Sequence, residues 1–108
     1  MDKEILAERV RLKLEGNPVT SKRMFGGITF LLNNNMLCCS SAKGLMVRVG
    51  AEAEADALGR PHATRCFGAG RPMAGFIMVA PPGIEDDKAL REWLDRALVY
   101  VRKLPPKK

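Results

Sequence analysis

The chain predicts an α+β domain in two layers, with helices packed on one face of a mostly antiparallel five-stranded sheet. Three observations lead there. Helical periodicity is confined to the two ends and to one alanine-rich stretch in the middle. Between them lie short runs of Ile, Val, Phe, Leu and Met, punctuated by Gly, Asn and Pro. At 108 residues the chain is the size of one domain, able to bury roughly 65% of its unfolded surface without a metal or disulfide staple. The predicted order is helix, three strands, helix, two strands, helix.

Asp2 to Glu15 reads as the first helix. Leu6, Val10 and Leu14 recur at i, i+4 and i+8 with Ile5 flanking the stripe, and Gly16-Asn17-Pro18 stops it. Val19 to Arg23 leads into a double-glycine corner, Gly26-Gly27. Ile28 to Leu32 has strand composition, Asn33-Asn34-Asn35 is a hairpin turn, and Met36 to Ser40 is the return strand. Ser41-Ala42-Lys43-Gly44 turns the chain again into Leu45 to Val49, completing an antiparallel meander.

Ala51 to Leu58 is a short helix closed by Gly59. Its acids, Glu52, Glu54 and Asp56, stand two residues apart and do not converge on one helix face, so they read as a solvated surface. Thr64 to Phe67 is a short strand, Gly68 to Pro72 a flexible connection, and Phe76 to Val79 another strand before the stop at Ala80-Pro81-Pro82-Gly83. The last helix starts at Asp86 or Asp87. Leu90, Trp93, Leu94, Ala97, Leu98 and Val101 form its apolar stripe, and Pro105-Pro106 ends it.

Charge is unevenly placed. Net charge is +6, and Arg102, Lys103, Lys107 and Lys108 form a basic tail over residues 102–108 with no acid among them. Such a tail fits nucleic acid or an acidic partner, or complements the dipole of the last helix. Aromatic residues are only 6% of the chain, too few for a stacking platform on single strands. No apolar run approaches a membrane span. Met1-Asp2-Lys3-Glu4 is not a secretory leader, so a cytoplasmic location is expected.

Several chemistries are disfavoured. The double glycine is not followed by the Gly-Lys-Ser/Thr of a phosphate-binding loop. The three cysteines, Cys38, Cys39 and Cys66, have no C-x-x-C spacing. His62, the only histidine, has no co-ligands at zinc spacing. No metal or cofactor is expected, and no nucleophile stands beside a base. One thiol reading stays open: Arg65 and Arg71 near Cys66 would lower its pKa, against a role as a small buried hydrophobe. Phe30, Met36, Met46 and Met78 are candidates for an uncovered apolar face, against an ordinary soft core.

The motif Arg23-Met24-Phe25-Gly26-Gly27 resembles the opening signature of the TfoX/Sxy N-terminal domain. Leu45-Met46-Val47-Arg48-Val49-Gly50 and Gly70-Arg71-Pro72-Met73-Ala74-Gly75-Phe76 fit in order, as does Arg91-Glu92-Trp93-Leu94 with Leu104-Pro105-Pro106 after it. The resemblance runs from about Lys22 to the end and makes residues 1–108 a single domain of this kind. It implies a secretion-chaperone-like two-layer fold that often forms homodimers. It also implies a bacterial, non-enzymatic regulatory or protein-interaction role, connected in longer members with transcription of competence genes. Its motif positions Arg23, Met24, Phe25, Gly26, Gly27, Arg48, Gly70, Arg71, Pro72 and Met73 become candidate binding residues for an unidentified protein partner. Two alternatives stand beside it. One is direct nucleic-acid binding through Lys22, Arg23 and the tail residues Arg102, Lys103, Lys107 and Lys108. The other is a thiol-based redox sensor or enzyme. Whether Arg23, Arg48 and Arg71 converge in space is the question left to the structure.

Overall fold

The computed structural model describes residues 2–24 and 26–107. Three helices and six strands follow in the order α1 (Lys3–Lys13), β1 (Val19–Met24), β2 (Gly27–Leu32), β3 (Asn35–Ser41), β4 (Gly44–Arg48), α2 (Glu54–Leu58), β5 (Ala63–Gly68), β6 (Arg71–Val79) and α3 (Asp87–Val101). The strands form one antiparallel sheet in the order β1-β2-β3-β4-β6-β5. The α+β class is as expected, but the sheet has six strands and not five. The extra one, β1, is the polar edge segment Val-Thr-Ser-Lys-Arg-Met, whose four middle residues are exposed. It has no apolar alternation to announce it, and a lysine on an exposed edge is how sheets discourage further pairing.

Tight turns set the register. Leu32 pairs with Asn35 across Asn33 and Asn34, both in the left-handed region, which is the geometry that matches the twist of a two-residue hairpin. The segment expected to be a flexible connection is a second such turn. Gly68 pairs with Arg71 across Ala69 and Gly70, again both at positive φ. Arg71, Pro72 and Met73 therefore belong to β6, which is nine residues long.

One sheet face carries the core. Ile28, Phe30, Cys38, Leu45, Val47, Ile77 and Val79 pack with Leu6 and Val10 of α1, Ala57 of α2, and the full predicted stripe of α3. Phe30, one of the candidates for an uncovered face, is instead a core residue, with Arg11 stacked over its ring at 5.8 Å. Ile5 is a second correction: it is 63% exposed, as is much of Leu12 on the same outward side of α1. Asp2 caps α1 through bonds from the Glu4 and Ile5 amides at 2.7 and 3.4 Å. The middle helix is shorter than expected, only Glu54–Leu58. Among the described residues no helix is long and apolar enough to cross a membrane.

The C-terminal segment is tied back to the sheet. The Lys107 amide donates to the Asn33 carbonyl at 2.9 Å, Asn34 Nδ2 to the Lys107 carbonyl at 3.0 Å, and Asn35 Nδ2 to the Pro105 carbonyl at 2.9 Å. The asparagine triplet both turns the β2–β3 hairpin and clasps the chain end.

Candidate functional site

The three motif arginines do not share a site. Arg23, on the edge strand, forms a two-pronged ion pair with Glu4 at 2.8 and 3.0 Å. The bond from Arg23 holds the exposed Glu4 carboxyl below its usual range. Arg48 is at the other end of the sheet. Arg23 pairs in register with Ile28, Ile28 with Ser40 and Ser40 with Leu45, the second residue of β4, whereas Arg48 ends that strand. Its guanidinium lies 5.4 Å from the Phe76 ring and 5.7 Å from the Tyr100 ring, an arrangement that welds β4, β6 and α3. Arg71 is exposed beside the tip of the β5–β6 hairpin.

The remaining motif positions divide in the same way. Lys3 Nζ donates to the Gly26 carbonyl at 3.3 Å, so the start of α1 pins the β1–β2 corner. Gly27 is closely covered: a Cβ there would sit 2.1 Å from the Ser40 carbonyl oxygen. Gly70 is in open space at φ +78. Met24 closes the β1–β2 hairpin opposite Gly27, while Phe25 lies outside the described residues. Of the expected nucleic-acid contacts, Lys22 is exposed on β1. Arg102 donates to Asn17 Oδ1 at 2.6 Å. Lys103 lines a groove beside α3, Lys107 is in the clasped segment, and Lys108 is outside the described residues.

Two grooves deserve comparison. The larger, about 830 Å³, runs between α3 and the β4–α2 connection. It is bridged by ion pairs, Arg60 with Glu92 at 2.8 Å and Arg96 with Asp56 at 3.0 Å. Those charges are already matched, and the groove gathers no nucleophile and base. The other, about 480 Å³, lies on the sheet face away from the helices. Its lining is Met36, Cys39, Ser41, Met46, Phe67, Gly68, Ala69, Met73 and Met78.

The second groove exists because β6 bends. Gly75, at φ +83, accepts from both the Val49 and Gly50 amides at 2.8 and 3.1 Å, and its own amide donates to Glu54 Oε1 at 3.3 Å. A Cβ at Gly75 would come within 2.9 Å of the Ala51 nitrogen, so glycine permits this close crossing. Residues 71–74 extend past the end of β4, and of them Arg71 and Pro72 pair with β5. Hairpin-tip and central-strand residues line one groove, so this overhang folds over the outer face. Glu54, expected to be solvated, instead locks the bend, with Arg65 at 3.3 Å from it. Phe67 stays 64% exposed on the hairpin.

The outer-face methionines were half legible. Met36, Met46 and Met78 were candidates for an uncovered face and do line the groove, whereas Met73 reaches it only through the Gly75 bend. Cys66 takes the role of a small buried side chain and not that of an activated thiol. It is buried, and burial, followed by the charge of Glu54, pushes its thiol up to about 11. Arg65 is turned to Glu54 and does not activate it. Burial likewise drives the Cys38 thiol far up, with neighbouring Cys39 adding to it. His62 is an exposed loop residue. Among the described residues no three His, Cys, Asp or Glu side chains converge.

No curated protein is similar enough in sequence to be matched to the chain. The family model described as the TfoX N-terminal domain matches residues 12–100, which covers every strand, the middle helix, the Arg-Met-Phe-Gly-Gly corner and nearly all of α3. The chain belongs to the TfoX N-terminal domain family.

Proposed function

We infer that the protein is a non-enzymatic regulatory domain that works by binding another protein on its outer sheet face. The observation that carries this reading is the methionine-lined groove under the β5–β6 hairpin, with the exposed Phe67 ring at its edge. Apolar grooves of this kind mark interaction surfaces. Methionine adapts its shape to varied partners, and an exposed aromatic is a typical anchor. The family supports a regulatory setting, in which the domain contributes affinity and leaves chemistry to its partner. Direct nucleic-acid binding has less support, because Arg23 and Arg48 are engaged within the fold and the clasp restrains the basic C-terminal segment.

Site-specific photocrosslinking tests the reading. A benzophenone amino acid replaces Phe67 in one variant and Lys88 on α3 in another, in the cells that make the protein. A discrete adduct at position 67, absent at position 88 and lost when Met46→Glu is added, is the expected result. An adduct of the chain with itself would identify the partner as a second copy, giving the homodimer. Equal or no adducts at the two positions would overturn the assignment of this face.

A further inference from the structure

The strand register sets three sulfur-bearing residues side by side on the outer face, with Cys39 Sγ resting 3.9 Å from the Ser40 carbonyl oxygen. Cys39 pairs with Met46 across β3–β4, and Met46 pairs with Met78 across β4–β6. Directly opposed residues in an antiparallel pair have Cβ atoms about 4.5–5.5 Å apart. Three sulfur-bearing side chains thus stand in one row across three adjacent strands. Met36 from the start of β3 and Met73 from the folded-over hairpin line the same groove. Four of the chain's six methionines and one of its three cysteines are gathered there. No carboxylate, imidazole or cationic side chain is among the lining residues.

This donor set has a chemical preference. Thioether and thiolate sulfur select soft ions, Cu(I) foremost, whereas carboxylate and carbonyl oxygen suit Mg(II), Ca(II) and Mn(II). Charge points the same way. One thiolate with one Cu(I) is neutral, so an apolar groove can hold the pair at far lower desolvation cost than a divalent ion. A second observation lies in the same row. Thr29 pairs with Cys39 from β2, and its fully buried hydroxyl has no hydrogen-bond partner among the described residues. Buried hydroxyls are normally satisfied, and a thiolate formed at its cross-strand neighbour Cys39 would offer this one an acceptor.

We propose that the outer-face groove is a binding site for a single Cu(I) ion. Cys39 Sγ supplies the thiolate, Met46 and Met78 supply thioether sulfur, and Met36 and Met73 close the site from either side. Binding breaks the Cys39 S–H bond, forms an S–Cu bond and releases one proton to solvent. The ion arrives and stays as Cu(I), so no electron is transferred. The site does not depend on the protein-interaction reading.

The test is anaerobic titration of the full chain with Cu(I) supplied as its coloured bicinchoninate complex, with ascorbate present. Bleaching that ends at one equivalent per chain is expected. The methyl resonances of Met36, Met46, Met73 and Met78 should shift together in carbon-13 spectra while that of Met24, on the far edge strand, stays. Met46→Leu and Met78→Leu keep volume and apolarity, so they preserve the fold. Each should weaken capture by at least the roughly 10–100-fold that even outer-shell partners are worth. Cys39→Ser should remove it, and Zn(II) should not compete. No capture from the chelator would overturn the proposal. So would capture that persists in the Cys39→Ser, Met46→Leu double variant, which would put copper elsewhere, or methyl shifts confined to Met24.

Discussion

Gly26 and Gly27 are adjacent, yet the structure requires glycine at each for a different reason, and substitution should separate the two. Gly26 is at φ +73, and a Cβ there would meet nothing within 4 Å. Gly26→Ala therefore meets only the left-handed backbone penalty, about 1–2 kcal/mol. Asn tolerates that region, so Gly26→Asn should recover much of the loss. Gly27 has no positive φ, but its Cβ would lie 2.1 Å from the Ser40 carbonyl oxygen and 3.1 Å from Cys39 Sγ, where ordinary contact begins near 3.4 Å. Relief requires β2 and β3 to part by more than 1 Å at that point. Overpacking of this kind costs about 1–3 kcal/mol, and each ladder hydrogen bond weakened adds about 0.5–1.5 kcal/mol. Gly27→Ala should lose about 2–4 kcal/mol, against a total stability for such domains of roughly 5–15 kcal/mol. Urea unfolding followed by circular dichroism measures all three variants. A Gly27→Ala midpoint as high as that of Gly26→Ala, or a Gly26→Asn midpoint no higher than that of Gly26→Ala, would refute the assignment.

Other predictions follow from single contacts. Asp87 accepts from Arg9 at 3.0 Å and lies 3.1 Å from Lys13, and the bonds from Arg9 and then Lys13 hold its carboxyl below the ordinary 3.8. A depressed folded pKa gives stability that is complete above the ordinary value and lost as pH falls through the folded one. Asp87→Asn should therefore lower the melting temperature at neutral pH and converge with the parent in strong acid; a constant gap would count against the linkage. Cys66, with its thiol pushed up to about 11, should react with iodoacetamide at neutral pH far more slowly than a free thiol, and at ordinary speed once unfolded. Asn35→Ala removes the bond to the Pro105 carbonyl and should cost about 0.5–1.5 kcal/mol, with faster amide exchange at Lys107. Unchanged exchange there would mean that the clasp does not hold the segment.

Much of the scaffold was legible because burial leaves a periodic mark. The stripe from Leu90 to Val101 is the buried face of α3, and Leu45, Val47 and Val49 all reach the core. What escaped depended on partners distant in sequence. Strand β1 owes its place to pairing with β2, not to its own composition. Ala69 sits at positive φ, where alanine gives no hint of a turn. Glu54 looks like any exposed helical acid until Gly75 and Arg65 are seen beside it. The cross-strand row of Cys39, Met46 and Met78 requires the β3–β4–β6 order, which inserts the last strand before its hairpin partner, and no local pattern reveals that exchange.

The motifs that identify the family mostly build the scaffold. Gly27 lets β3 lie against β2, Arg23 clips the edge strand to the first turn of α1, and Arg48 lies against the Phe76 and Tyr100 rings. Gly75 bends β6 where three backbone segments cross. A chain can keep all of these and present different chemistry on its outer face, because side chains there alternate with the core residues along the same strands. Family membership therefore fixes the fold and not the activity. On our proposal the individual function resides in residues that the scaffold displays on its outer face, Met36, Met46, Phe67, Met73 and Met78: each lies outside the helix-face core, and together they line one open groove.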